Sequence, residues 1–184
     1  GSRLSEVKSH LPIINKVIKN MHRKNSKEKF LISRSSNIDM KIYAKYFSNK
    51  KYVSIVTNEN IYKTIDRCKI AVAASGTITL QIALKKIPMC VFYKLSNATY
   101  LMVKFLVKTK FISLVNIILN KKAIEEYIQG DASAKNIENE IEKINNNESY
   151  RENLIKDIGM IEKILSDDTY TTNINELILK SLTN

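Results

Sequence analysis

Over residues 5–24 apolar side chains recur at three- and four-residue steps (Val7, Leu11, Ile14, Val17, Ile18, Met21), with Lys8, Lys16 and Lys19 mostly between them. That spacing predicts a helix with one buried face. Ser5 and Glu6 suit its start as a cap and a negative charge in the first turn, and Pro12 predicts a kink. The pattern then alternates. Residues 28–33 and 51–56 are short runs that predict strands; residues 37–47 (Ile38, Ile42, Tyr43, Tyr46) and 58–68 (Ile61, Tyr62, Ile65) predict helices. Residues from Lys69 to Ala74 predict a buried strand, which breaks at Ser75-Gly76-Thr77 and gives way to a helix through Lys86. Residues 88–93 predict a further strand. Residues 97–108 form a basic, apolar helical stretch and 111–120 an apolar segment. Helices are expected at 123–129, 134–145, 149–165 and 173–182, with a loop at Asn145–Asn147.

About five strands alternating with helices predict an α/β fold, a Rossmann-like parallel sheet flanked by helices, with a C-terminal helical tail. A strand ahead of residue 5 is missing from the alternation, and in a doubly wound sheet that strand is central. The chain is therefore expected to be the second half of something larger. Residues 1–146 read as the Rossmann-like domain. Residues 147–184 read as a tail packing back on it or on the missing N-terminal half. No internal repeat is apparent.

Composition narrows the classes. The chain has 184 residues, 44% hydrophobic, enough for one full core, and its 4 Gly and 2 Pro argue against disorder and against a many-turned sandwich. Cys68 and Cys90 sit in apolar runs and read as small core residues of a reducing compartment, although spacing alone leaves a disulfide open. There is no CxxC pair, and His10 and His22 are 12 apart, so neither a metal nor a cofactor is expected. The net charge of +12 suits nucleic acid, anionic lipid or a phosphorylated small molecule, but the excess is mostly Lys among many Asn and Ile, a compositional bias. No run approaches the ~18–20 residues of a membrane span, and no signal peptide is visible, so the expected location is cytoplasmic. Residues 97–108 read first as a core helix with its lysines in water, and otherwise as contact with an anionic membrane surface through Lys104 and Lys108, with Lys110 just beyond.

The chemistry gathers at Ser75-Gly76-Thr77. A helix starting at the carboxyl end of a parallel strand presents unpaired N–H groups and the positive end of its dipole. Gly76 lets a ligand approach the backbone, while the Ser75 and Thr77 hydroxyls can cap the helix or donate to an anion. Such starts hold phosphate in many α/β proteins; they are also ordinary capped helices.

Several residues line up in order with one family: Gly1-Ser2-Arg3-Leu4-Ser5-Glu6-Val7, Ala73-Ala74-Ser75-Gly76-Thr77-Ile78-Thr79-Leu80, Pro88-Met89 with Tyr93, Leu106-Val107-Lys108, and Ser113-Leu114-Val115-Asn116. Together they resemble the C-terminal half of lipid-A-disaccharide synthases, bacterial glycosyltransferases. The resemblance implies a GT-B architecture with this chain as the nucleotide-donor domain. It implies transfer of 2,3-diacylglucosamine from its UDP conjugate to 2,3-diacylglucosamine 1-phosphate (lipid X), with inversion and without a required metal. Ser2 and Arg3 would then lie in a native loop, with Arg3 on the donor diphosphate, a task its planar, permanently charged fork suits. Ser75, Gly76 and Thr77 would cradle the diphosphate and Gln81, where the family usually has Glu, the ribose. Tyr93 and Asn116 would complete the substrate-binding set. Val115 replaces a family Pro, Lys94 an Arg, and Asn120-Lys121-Lys122 a Gly-Arg-Glu.

The family's chemistry needs a general base, expected from the absent N-terminal half, so no catalytic residue is assigned and the fragment should bind UDP without turnover. Expected partners are UDP-2,3-diacylglucosamine, lipid X, the N-terminal half and an anionic membrane surface. Two alternatives stand beside this. One is another GT-B UDP-sugar enzyme. The other is a basic nucleic-acid module, disfavoured because the lysines are scattered and no known binding signature appears.

Overall fold

The apolar stripe of the first helix places it against everything that follows. This helix, α1 (Leu4–Lys24), buries Val7, Leu11, Val17, Ile18 and Met21, carries Glu6 in its first turn and His22, Arg23 and Lys24 in its last, and continues through Pro12. Both charge placements complement the helix dipole. The computed structural model describes residues 3–57, 61–74, 76–95 and 110–166. Within them α1 is followed by β1 (Phe30–Arg34), α2 (Met40–Phe47), β2 (Val53–Thr57), α3 (Ile61–Ile65), β3 (Ala71–Ala74) and α4 (Ile78–Leu84). Then come β4 (Met89–Tyr93), α5 (Leu114–Leu119), β5 (Glu126–Ile128), α6 (Ala134–Asn146) and α7 (Glu148–Ser166).

Short polar side chains set the helix starts. Asp39 accepts the Lys41 N–H at 2.8 Å ahead of α2. Ser113 and Ser133 accept the Asn116 and Asn136 N–H groups, each at 3.2 Å, ahead of α5 and α6. Asn147 accepts the Tyr150 N–H at 2.9 Å, which restarts the chain as α7 after the break.

Every strand pairing among the described residues is parallel. β1 pairs with β2, Phe30 opposite Val53 and Arg34 opposite Thr57. A second sheet has the order β3-β4-β5, with Ala71 opposite Met89, Ala74 opposite Phe92, and Tyr93 opposite Ile128. β4 has strands on both sides and is the most buried element: Met89, Cys90 and Val91 are 0% exposed. Its side chains alternate between two cores, as strand geometry requires. Met89 and Val91 face a core closed by α4, α5 and α7, which includes Ile82, Val115, Ile158 and Ile161. Cys90 and Phe92 face α1 and α6 through Val17, Met21 and Ile137. A third core joins α1 and α2 over β1 and β2, with Ile38, Tyr43 and Phe47 buried and Ile32 and Ile55 packed against them. The architecture is a Rossmann-like α/β half-domain with helices on both faces of its parallel sheets.

One expected helix is a strand. Residues 123–129 contain β5, paired with β4. Ala123, Ile124, Tyr127 and Ile128 suit a helical period, but pairing beside a fully buried strand outweighs that local pattern. The apolar segment 111–120 contains helix α5. The stretches expected as helices at 97–108 and 173–182 lie outside the described residues. Both cysteines are free thiols, Cys68 half-buried and Cys90 buried. No described helix is long and apolar enough to cross a membrane.

Candidate functional site

Parallel strands end together, so β3, β4 and β5 bring the residues after Ala74, Tyr93 and Ile128 to one edge of the sheet. In open α/β sheets that carboxyl edge is where ligands bind. α1 also starts there. Tyr93, the last residue of β4, donates its phenol to the Glu6 carboxylate at 2.8 Å. Arg3, the extended residue that caps α1 (φ −97°, ψ 138°), reaches the same Glu6 oxygen at 3.4 Å. Burial, reinforced by the Glu6 carboxylate, pushes the Tyr93 phenol up to about 12, so it stays a protonated donor at neutral pH. Glu6 itself is buried, whereas the Arg3 side chain is 77% exposed. Its contact with Glu6 thus steers the guanidinium while leaving most of it open to solution.

Gly76 opens the turn after β3 at φ +146°, a backbone geometry that suits glycine and strains other residues, and no atom stands within 4 Å of where a Cβ would be. Thr77 follows, exposed and already helical, with no capping bond from its own side chain. Thr79, buried one step into α4, donates its hydroxyl back to the Gly76 carbonyl at 2.8 Å. This bond ties the turn to α4 from below and leaves the Thr77 hydroxyl on the outer side. Gln81, one turn further, is half-buried.

Two residues not singled out as site residues from the sequence shape this edge. His10 is buried against Phe92 and Tyr93, with ring centroids 4.7 and 5.8 Å away, and its Nε2 accepts the Lys94 N–H at 3.1 Å. An accepting Nε2 puts the neutral ring's proton on Nδ1. Burial lowers the His10 pKa to about 4. Gln129 is left-handed at φ 51°; its N–H donates to the Tyr93 carbonyl at 3.0 Å and its Oε1 accepts the Leu95 N–H at 2.8 Å. Both hold the chain where it leaves β4. Glu6 reads in the sequence as a helix-start charge within the family-like stretch of residues 1–7, and its three-residue spacing from Arg3 is the available signal for the pair.

Asn116, in the first turn of α5, is fully engaged. It is 0% exposed, its Nδ2 donates to the Ile124 carbonyl at 2.9 Å and to Glu126 at 2.8 Å, and its Oδ1 accepts from Ala123 and Ile124 at 2.8 and 3.0 Å. Glu126 also accepts the Ile112 and Ser113 N–H groups, at 2.8 and 2.9 Å. A side-chain amide has four hydrogen-bonding positions, and all four of Asn116 are taken. It serves as the knot between the segment before α5 and the start of β5. Ser2 and Ser75 lie outside the described residues; the structure unites Arg3 and Tyr93 through Glu6, sets Gly76 and Thr77 at the end of the strand neighbouring β4, and commits the Asn116 side chain to partners within the chain.

These features define a Rossmann-like half-domain with an arginine, a glycine turn and a buried carboxylate–phenol pair at the carboxyl edge of its sheet. The family model described as lipid-A-disaccharide synthetase matches residues 1–176, and the chain belongs to that family. It is 28% identical to lipid-A-disaccharide synthase 1 of Legionella pneumophila (strain Lens), over 99% of this chain and 47% of that protein. Identity to the lipid-A-disaccharide synthase of Acinetobacter baylyi is 34%, over 92% of this chain and 45% of that protein. For the Rickettsia bellii enzyme it is 30%, over 95% and 45%. The chain thus spans about half the length of the curated relatives it matches.

Proposed function

We propose that this chain is the donor-binding half of a lipid-A-disaccharide synthase, in which residues 1–146 bind UDP-2,3-diacylglucosamine and residues 147–184 form the helical tail. The complete GT-B enzyme would pass 2,3-diacylglucosamine to lipid X and release UDP. The observation that carries the reading is the exposed Arg3 guanidinium at the edge where the Gly76-Thr77 turn opens a helix. A diphosphate needs a bidentate cation and backbone donors from two directions, and Arg3 with Gly76-Thr77 offers that chemistry. Glu6 and Tyr93 act on the ligand through Arg3 and the loop after β4, and Ser75 and Gln81 extend the cradle toward the ribose. Asn116 acts at one remove, by fixing the segment that precedes α5.

Titration with UDP by calorimetry tests the reading. The folded chain is expected to release heat on binding, and the Arg3→Ala, Thr77→Ala double variant to bind at least roughly tenfold more weakly, as befits the loss of a charge-assisted contact. Equal affinity in the two, or no heat with the folded parent, rejects it.

A further inference from the structure

Resting on the donor-binding reading above, we propose that Lys94 is a second cation for the nucleotide diphosphate, and that His10 and Gln129 are the residues that position it. The register places it. Ala74 pairs with Phe92, so two residues further along each chain Gly76 and Lys94 leave neighbouring parallel strands at the same level. Neighbouring strands lie about 4.8 Å apart, a step that one diphosphate can bridge. Lys94 also directly follows Tyr93, whose phenol bonds the Glu6 carboxylate that steers Arg3. It therefore stands one strand from the glycine turn and one residue from the brace of the arginine.

The backbone of Lys94 is held by side chains from far along the chain. Its N–H donates to His10 Nε2 at 3.1 Å. The next N–H, of Leu95, donates to Gln129 Oε1 at 2.8 Å, and the Leu95 carbonyl accepts from Gln129 Nε2 at 3.5 Å. Gln129 donates its own N–H to the Tyr93 carbonyl at 3.0 Å. β4 ends at Tyr93, so these two side chains replace the strand ladder for two more residues.

Neither holding group is placed without strain or burial. His10 is buried, which disfavours its charged form and keeps Nε2 an acceptor at neutral pH. Gln129 is left-handed at φ 51°, a region that strains a residue with a Cβ. A lysine that merely meets water needs no such fixed backbone, and strain of this kind gathers where a side chain must be aimed at a ligand. Lys94 itself is exposed, and among the described residues no carboxylate stands within ion-pair distance of its ammonium. The nearby Glu6 carboxylate already accepts from Tyr93 and Arg3. A compact, uncancelled ammonium level with the glycine turn suits a phosphate oxygen and complements the planar fork of Arg3.

Titrations of UDP and of uridine, followed by NMR chemical shifts, compare the chain with Lys94→Ala, Lys94→Arg and Gln129→Gly. Glycine suits the left-handed backbone at position 129, so the last variant removes the side-chain clamp and keeps the turn. Lys94→Ala is expected to weaken UDP about tenfold, the loss of one charge-assisted contact, and to leave uridine, which carries no phosphate, unchanged. Lys94→Arg should bind UDP as the chain does. Gln129→Gly should weaken UDP about threefold through lost pre-organisation, again sparing uridine and the thermal midpoint. Equal UDP affinity in Lys94→Ala and the chain overturns the proposal, while the Arg3→Ala, Thr77→Ala comparison still decides the donor-binding reading separately. Equal losses for UDP and uridine, or Lys94→Arg as weak as Lys94→Ala, overturn it by making Lys94 structural. Unchanged UDP affinity in Gln129→Gly overturns the positioning role. No UDP binding by the chain itself rejects the donor-binding reading and this proposal with it.

Discussion

At the scale of single residues, Asn116 and His10 show how much of the structure is held by side chains whose hydrogen bonds are spent within the chain. Asn116→Ala would leave the Ala123 and Ile124 N–H groups and the Ile124 carbonyl without their side-chain partner, inside a region closed to water. A loss of about 3 kcal/mol is expected, at the upper end for one substitution because several buried polar groups are orphaned together. Asn116→Asp should be no milder, since its second oxygen would face the Ile124 carbonyl and the Glu126 carboxylate, where an amide now donates. Denaturant midpoints measure both, and a near-wild-type Asn116→Ala would show the knot to be dispensable. His10 makes the pH case. Its folded pKa of about 4 lies below the ordinary 6.5 because burial disfavours the charged ring, so the unfolded chain binds more protons in that window. The resulting stability is complete above pH 6.5 and is lost as the pH falls toward about 4. His10→Gln keeps an acceptor for the Lys94 N–H but cannot titrate there. Its urea midpoint should therefore fall less than the parent's between neutral pH and the acid end of that window, and parallel falls would remove His10 as the cause.

At the scale of elements, hydrophobic period made most of the chain legible before any coordinates, and its one clear miss is instructive. α1 and α7 are long enough for a three- to four-residue repeat to be unmistakable, and β4 is a bare apolar run between a proline and a lysine. β5 is three residues long and its flanks carry apolar side chains at helical steps. Only its pairing with β4 makes it a strand, and pairing is not a local property. The same reasoning covers the site. The glycine turn was visible because Gly76 punctuates an apolar stretch, and Arg3 because resemblance singled it out. Nothing in the neighbourhood of Tyr93 in sequence announces Glu6, 87 residues away, as its acceptor. The carboxylate that engages Asn116 lies ten residues on, in β5, so a helical reading of that strand conceals the knot.

At the scale of the whole molecule, the proposed reaction sets a limit on what this chain does alone. Deprotonating an acceptor hydroxyl needs a carboxylate or imidazole that is free to take the proton. Of the titratable groups that brace Arg3, Tyr93 and Lys94, Glu6 already accepts from Tyr93 and Arg3, and His10 spends its accepting nitrogen on the Lys94 N–H. Both are committed to shaping the site. The chain supplied with UDP-2,3-diacylglucosamine and lipid X is therefore expected to bind the donor and release no UDP above the uncatalysed rate, whereas the same chain continued upstream to the length of its relatives should release UDP and form the disaccharide. Chromatographic assay of free UDP with both proteins decides this. Release by the short chain, abolished in Glu6→Gln but not in Tyr93→Phe, would make Glu6 the base and place the reaction's proton transfer within this half. Release only by the long chain leaves Glu6 and Tyr93 as the brace that holds Arg3 over the glycine turn, with the base across the cleft.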